Sequence, residues 1–276
     1  MDLNLLWEAI GATLTGAALE GIILFFLLNM LKEVGALRKN YQGLDVPVSA
    51  GLSFPLAVMM VFLLYAVFSW YEDTYHLFIL GLVAICWLGF IDDMLGQRDT
   101  LGFKGHFGAL CKGRLTTGGL KAVGGGMIAF FVAFFSSASG VDIIINTLIM
   151  ALFTNMLNLL DLRPGRSIKG FLIFFLAILA TARGRIDFLL ISPLLGAVLG
   201  YFPVDLKGKA MMGDAGSNVL GFSLGYLAII SLSMTARLAI LIFLVGMHFY
   251  TEKFSLTKTI EGNILLRGID EFGRGN

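Results

Sequence analysis

The chain has 276 residues, of which 57% are hydrophobic and only 14% charged, and its mean hydropathy is +0.85. Soluble domains carry about a quarter charged residues, so this composition excludes an ordinary soluble protein. The net charge of +1 indicates no partner by itself, and we expect no nucleic-acid partner. The two cysteines form no CxxC pair, which argues against a disulfide framework or a thiolate metal site.

Nine apolar stretches predict membrane-spanning helices, since a helix needs about 20 apolar residues to cross a bilayer. The predicted fold class is therefore all-α, a polytopic transmembrane helix bundle. The predicted spans are 4–31, 50–70, 76–91, 120–136, 143–160, 168–182, 187–202, 215–232 and 236–250.

The basic residues predict the orientation of these spans. Alternate loops hold 17 of the 20 Lys and Arg residues, and such loops face the cytoplasm. We therefore expect the N-terminus outside and the C-terminus in the cytoplasm. We divide the chain into a transmembrane domain, 1–250, and a cytoplasmic tail, 251–276.

Four acidic residues lie at span ends that this topology places on the cytoplasmic face. Asp92 and Asp93 follow span 3, Asp161 follows span 5, and Asp214 precedes span 8. Carboxylates gathered from distant helices suggest a metal site. The alternative for Asp92 and Asp93 is a pair of interfacial caps, although acids gain nothing from the negative end of a helix dipole.

Polar residues recur every three positions at the end of span 5. Asn155, Asn158 and Asp161 predict one slanting stripe along the helix. Polar groups in a span usually face the bundle interior, so the stripe suggests a ligand-binding wall. Hydrogen bonds between helices are the alternative.

Asp214 lies in the small-residue stretch MGDAGS at the start of span 8. Accessible N–H groups at a helix N-terminus favour a phosphate, and a divalent cation would let the carboxylate tolerate that phosphate. An ordinary helix cap is the alternative. Oxygen ligands without clustered Cys or His favour Mg²⁺ or Mn²⁺ over zinc.

Basic residues near these acids could hold phosphate charge, although cytoplasmic loops are basic for topological reasons as well. They are Lys104, His106, Lys112, Arg114, Lys121, Arg163, Arg166 and Lys169. Glu20 lies within span 1, where a carboxylate is either functional or shifted to an interface, and we assign it no role.

In this order, the three acidic motifs resemble those of the polyprenyl-phosphate N-acetylhexosamine-1-phosphate transferases, which include phospho-N-acetylmuramoyl-pentapeptide transferase. The matching stretches are GFIDD at 89–93, NMLNLLD at 155–161 and GDAGS at 213–217, and the loop at 40–51 is also similar. The resemblance extends from about residue 35 to about residue 235.

The resemblance implies an Mg²⁺-dependent enzyme of a bacterial plasma membrane, with its active site on the cytoplasmic side, in which Mn²⁺ could replace Mg²⁺. It would transfer a sugar-1-phosphate from a UDP-sugar to an undecaprenyl-type phosphate for cell-envelope glycan synthesis, releasing UMP. The implied roles are catalytic for Asp92 and Asp93 and metal-binding for Asp214 and Asp161. Substrate binding is implied or inferred for Asn155, Asn158, Asp161, Lys104, Arg163 and Arg166. The oligomeric state stays open, with a homodimer among the alternatives.

The sequence departs from the family in two places. Pro164 stands where the family has a second acid after Asp161, and the late His-rich loop is replaced by the tail after residue 250. Both changes affect donor recognition. Two other interpretations remain: a non-catalytic relative that binds lipid phosphate or a partner protein, and a cation transporter. The transporter is disfavoured because the acids lie at span ends.

Overall fold

The computed structural model describes residues 3–96, 108 and 113–274. The described part is an all-helical bundle with one small hairpin. Its longer helices are α1 Leu3–Glu33, α2 Ser53–Val67, α3 Tyr75–Leu95, α4 Thr117–Ser136, α5 Gly140–Leu160, α6 Arg166–Thr181, α7 Phe188–Leu206, α8 Gly213–Ser231 and α9 Met234–Lys253. Two short helices follow, α10 Leu256–Gly262 and α11 Ile264–Glu271.

Helices α1 to α9 coincide with the nine predicted spans, so the predicted all-α class is confirmed. Within the described residues, seven helical segments are long and apolar enough to cross a membrane. Helix α6, with 16 residues, and helix α8 are not among them. The count of nine spans and the orientation therefore stay predictions.

Helix α8 forms the centre of the bundle and is buried along nearly its whole length. It packs against α3, α5 and α6. Its Gly, Ser and Asn residues fit this position, because a helix surrounded by protein need not be apolar on every face. The close crossing with α3 requires glycine, since a Cβ on Gly89 would lie 2.4 Å from the Asp214 carbonyl oxygen.

An antiparallel hairpin joins α1 to α2 and supports the start of α8. Its strands are β1 Leu37–Lys39 and β2 Asp45–Pro47, and a short 3₁₀ helix, Ala50–Leu52, follows. Backbone N–H groups of Ala50 and Gly51 donate to the carbonyls of Met211 and Met212 at 3.1 and 3.0 Å. These bonds fix the hairpin against the segment that leads into α8.

Candidate active site

A cavity of about 700 Å³ lies where α3, α5, α7, α8 and the hairpin converge. Its lining includes five predicted site residues whose side-chain oxygen atoms could bind a metal: Asp92, Asp93, Asn158, Asp161 and Asp214. The structure thus brings residues from three distant motifs into one pocket. Further lining residues are Arg38, Lys39, Asn40, Tyr41, Thr117, Arg163, Pro164 and Asp205.

Lys121 joins two of these carboxylates. Its Nζ lies 3.2 Å from Asp92 Oδ2 and also forms an ion pair with Asp214 Oδ2. All three side chains are largely buried. A cation between two partly desolvated acids offsets their mutual repulsion, so Lys121 holds Asp92 and Asp214 together.

Asn158 completes this cluster from α5. With its amide oriented by its partners, it donates to Asp214 Oδ1 at 2.8 Å and its oxygen accepts from Lys121 Nζ at 2.7 Å. The four residues come from α3, α4, α5 and α8. We call Asp92, Lys121, Asn158 and Asp214 the acid–lysine cluster.

Asp93 lies beside this cluster, and both of its carboxylate oxygens already accept hydrogen bonds from other parts of the protein. Its Oδ1 accepts the Asp214 N–H at 2.9 Å, and its Oδ2 accepts the Ala215 N–H at 3.2 Å. The Ser49 hydroxyl donates to the same Oδ2 at 2.5 Å. Asp93 therefore caps the N-terminus of α8 across a helix crossing, where an anion complements the helix dipole.

This cap depends on the backbone of Gly213. The residue has φ of +72°, and a Cβ there would lie 2.3 Å from Asp93 Oδ2. Glycine is favoured in this conformation and is also the only residue that leaves room for the carboxylate. Helix capping was the alternative prediction for Asp93. Its hydrogen bonds show a cap, but the capped helix is α8 and not α3.

A second acidic pair, Asp161 and Asp205, also lines the cavity. Asp161 ends α5, and Asp205 lies in the last turn of α7. Burial raises the pKa of Asp161 well above its usual value, and the carboxylates of Asp205, Asp214 and Asp93 raise it further. The Gly165 N–H donates to Asp205 Oδ2 at 2.8 Å. Asp205 therefore lies beside the segment from which the family's second acid is missing.

Residues of the hairpin and of the segment 162–164 also line the pocket. The Asn40 side chain donates to the Gly208 carbonyl at 3.2 Å, which holds the hairpin turn against the end of α7. The Arg163 guanidinium lies 5.6 Å from the centre of the Tyr41 ring and pairs with Glu261 at 3.5 Å. Arg163 is half-buried and is held only by one aromatic ring and one long ion pair. Such contacts are weak, so a ligand can rearrange this side chain.

Arg166, a predicted substrate ligand, lies elsewhere. Its guanidinium binds both carboxylate oxygens of Asp270 at 2.8 Å and the Thr257 hydroxyl at 3.0 Å. Arg166 and Asp270 are each 5% exposed. The arginine attaches the C-terminal helices to the bundle and does not line the pocket, which corrects its predicted position.

Asn155 does not line the pocket with Asn158 and Asp161. Asn155 is exposed on α5 and does not share the face of Asn158 and Asp161. At about 100° per residue, six positions leave Asn155 and Asp161 about 120° apart, so the predicted single stripe is wrong. Lys104 lies outside the described residues. Glu20 is fully buried within the protein and accepts a hydrogen bond from Ser53 at 2.6 Å, and it stays without an assigned role.

The described residues contain no group of three His, Cys, Asp or Glu side chains placed to hold a metal by themselves. A magnesium ion needs fewer protein ligands, because it binds through one or two carboxylates together with substrate phosphates. Asp214 and Asp92 suit this requirement, and their shared contact with Lys121 shows that a positive charge is favourable between them.

The fold and the pocket define a multi-pass membrane protein with an acidic site at one end of its bundle. The sequence profile of glycosyl transferase family 4 matches residues 75–232, which is more than half of the chain. The chain belongs to this family, that of the polyprenyl-phosphate hexosamine-1-phosphate transferases related to phospho-N-acetylmuramoyl-pentapeptide transferase. No curated protein matches the chain significantly.

The matched region contains the whole acid–lysine cluster together with Asp161 and Asp205, whereas the hairpin and the C-terminal helices lie outside it. The sequence analysis names Lys121 only as one of several basic residues and does not name Asp205. Lys121 could have been distinguished by its position, because it lies at the start of a predicted span, on the same predicted side as the three acidic motifs.

Proposed function

We propose that the protein transfers a sugar-1-phosphate from a nucleotide-sugar, most simply a UDP-N-acetylhexosamine, to a polyprenyl phosphate at the cytoplasmic membrane face. The acceptor phosphate oxygen attacks the sugar-bearing phosphorus, the bond between the two donor phosphates breaks, and the nucleoside monophosphate leaves. Family membership supports the reaction class, and the acid–lysine cluster is the observation that carries the proposal.

The charge balance of the pocket supports a divalent cation in this reaction. Five acids face the pocket, namely Asp92, Asp93, Asp161, Asp205 and Asp214. Among the described residues, three cations line the pocket, Arg38, Lys39 and Arg163, and Lys121 bridges two of its acids. This described lining holds more acids than cations, which favours entry of phosphates together with a divalent cation. We therefore retain Mg²⁺, with Mn²⁺ as the substitute, as the proposed cofactor.

Asp214 is the proposed principal metal ligand, with Asp92 and Asp161 as the neighbouring carboxylates that face the same cavity. When bound, the metal would neutralise the donor diphosphate and stabilise the leaving phosphate. Asp93 has a different role in this proposal. Its oxygens are already bonded to Ser49 and the α8 backbone, so it orients Asp214 and does not act as a base.

Lys121 is proposed to orient the acceptor. A phosphate monoester is already ionised at neutral pH, so it needs positioning and charge neutralisation rather than a strong base. Lys121 contacts Asp92, Asp214 and Asn158 at once, so movement of its ammonium toward an incoming phosphate would free both acids for a metal. The cluster is thus arranged to exchange one cation for another.

The donor is proposed to bind along the wall formed by Asp161, Asp205 and Arg163, next to Tyr41. Asp205 would supply the carboxylate that the family carries after Asp161. Its buried carboxylate accepts a hydrogen bond from the Gly165 N–H. Gly165 follows Pro164, in the segment where the sequence differs from the family pattern. This wall differs most from the family pattern, so it is where the identity of the donor is decided.

The experiment is a transfer assay with purified protein in liposomes, polyprenyl phosphate and a panel of nucleotide-sugars, scored for nucleoside monophosphate. We expect release that requires Mg²⁺ or Mn²⁺ and is lost in Asp214→Ala. Metal-dependent binding of the lipid phosphate without release for any donor would instead indicate a non-catalytic relative.

A further inference from the structure

The C-terminal helix α11 has an apolar face that points away from the protein. At about 100° per residue, its apolar side chains occupy one arc of the helix and its charged ones the remainder. Ile264, Leu265 and the following Phe272 are 83%, 73% and 80% exposed. Neighbouring apolar side chains with this much exposure indicate a surface that a membrane or another molecule covers.

The opposite arc of α11 is clamped to the bundle. Asp270 forms its two-pronged ion pair with Arg166, and Arg274 contacts the same carboxylate at 2.9 Å. The Lys169 ammonium donates to the backbone carbonyls of Asp270 and Phe272, each at 2.7 Å. These contacts fix the rotation of α11, so its apolar face is directed outward by the structure and cannot turn inward.

Two anchors fix the level of α11 along the bundle. Helix α9 is a candidate membrane span that ends at Lys253, and only Phe254 and Ser255 separate it from α10. Arg166, which binds Asp270, is the first residue of α6. The apolar face therefore lies level with the ends of two predicted spans, where the bilayer surface would be.

We propose that α11 lies in the interfacial region of the lipid bilayer, with Ile264, Leu265 and Phe272 inserted between the acyl chains. An amphipathic helix with one apolar and one charged face is suited to this position. The exposed charges near it balance, with Lys258 and Arg267 against Glu261 and Glu271. Insertion is therefore driven by apolar burial and does not require anionic lipids.

Neighbouring helix α10 supports the assignment by contrast. Its apolar residues Leu256 and Ile260 pack against the hydrophobic core, and Thr259 exchanges a hydrogen bond with Tyr250 at 2.7 Å. Helix α10 thus turns its apolar residues toward the core, whereas those of α11 are exposed. The proposal concerns α11 alone, and it does not depend on the proposed reaction.

The test places a bimane fluorophore on single cysteines in protein reconstituted into zwitterionic liposomes. Leu265→Cys reports the apolar arc, and Arg267→Cys on the charged arc of the same helix is the matched control. Cys111 is replaced by Ser, while Cys86 is buried and stays. Quenching is measured with nitroxides attached to lipid acyl chains and with a water-soluble nitroxide.

We expect the label at position 265 to be quenched several-fold more by the lipid nitroxide than the label at 267, with the reverse order for the soluble quencher. Added anionic lipid should change neither result. Equal quenching at both positions would overturn the proposal. So would shielding at 265 that disappears when the protein is diluted with lipid, because that result indicates a second copy covering the face.

Discussion

The Asp93 carboxylate accepts the backbone N–H of Asp214 at 2.9 Å, so one acidic motif holds the backbone of another. The capped helix then presents the Asp214 side chain to Lys121 and Asn158. Neighbouring acids in one motif consequently have different tasks: Asp92 faces the cation, and Asp93 fixes the helix that carries the second ligand.

This division predicts different results for two adjacent substitutions. Asp93→Ala should abolish transfer and also destabilise the protein by about 1–2 kcal/mol, since a helix cap is lost. Asp92→Ala should abolish transfer with little change in stability. Thermal unfolding in detergent, measured beside the transfer assay, distinguishes them. Equal stability of the two variants would contradict the capping role.

Ser49 offers a milder test of the same cap. Ser49→Ala removes the hydroxyl that donates to Asp93 Oδ2 and leaves both backbone bonds in place. We expect a smaller loss, about 0.5–1.5 kcal/mol, with reduced but measurable turnover. Full activity and unchanged unfolding would show that the cap does not need this hydroxyl.

Lys121→Met should separate the electrostatic role of the lysine from its packing. Without the ammonium, Asp92 and Asp214 face each other unneutralised, so the variant should unfold at a lower temperature in chelator. Mg²⁺ should restore more stability to the variant than to the unchanged protein, because the metal then supplies the missing charge. Turnover should fall roughly 10²-fold or more even with Mg²⁺ present. An identical Mg²⁺ response in both proteins would contradict cation exchange at this cluster.

Asp205→Asn should weaken donor binding while leaving the chemical step largely intact. The amide keeps an oxygen that can accept the Gly165 N–H but loses the charge. We expect a raised KM for the nucleotide-sugar, an unchanged KM for the lipid phosphate and a kcat within a few-fold. A loss confined to kcat would place Asp205 in the reaction and not in donor recognition.

The Arg166–Asp270 pair predicts a pH-dependent attachment of the C-terminal helices. Burial opposes the charged form of Asp270, but hydrogen bonds and charge from Arg166 and Arg274 outweigh it, and its pKa is below the usual value. The stabilisation is therefore fully present above about pH 4 and lost as the pH falls through the lowered pKa.

Asp270→Asn should remove this attachment at neutral pH, since an arginine that is 5% exposed would lose its charged partner. Breaking such a buried pair costs about 3–5 kcal/mol. Limited proteolysis after α9 should therefore be faster in Asp270→Asn, whereas Glu271→Gln, which changes the exposed neighbouring carboxylate, serves as the control. Similar cleavage rates in the two variants would contradict the attachment.

The helices and most of the pocket could be predicted from the sequence because apolar spans and charged span ends are local signals. Asp92, Asn158, Asp161 and Asp214 meet in one cavity as the topology required. The role of Asp93 could not be read in the same way. Its partners are backbone groups of α8, and no residue pattern specifies which of two adjacent acids will face a helix terminus.

Asp205 was missed for a different reason. The predicted span ended at residue 202, before a proline, but α7 continues through Pro203 to Leu206 and carries the carboxylate into the pocket. Asn155 was predicted to share a face with Asn158 and Asp161 and does not. A spacing of three residues drifts around a helix, so Asn155, the first of the series, lies about 120° from Asp161. The tail contacts of Arg166 depend on long-range pairing that composition does not encode.

The most direct test of the proposed function is metal-dependent release of a nucleoside monophosphate from a nucleotide-sugar panel, compared between the unchanged protein and Asp214→Ala. We predict release with polyprenyl phosphate and Mg²⁺ from at least one donor, and none from the variant. Release that persists in Asp214→Ala, or none from any donor by a folded protein that binds polyprenyl phosphate, would contradict it.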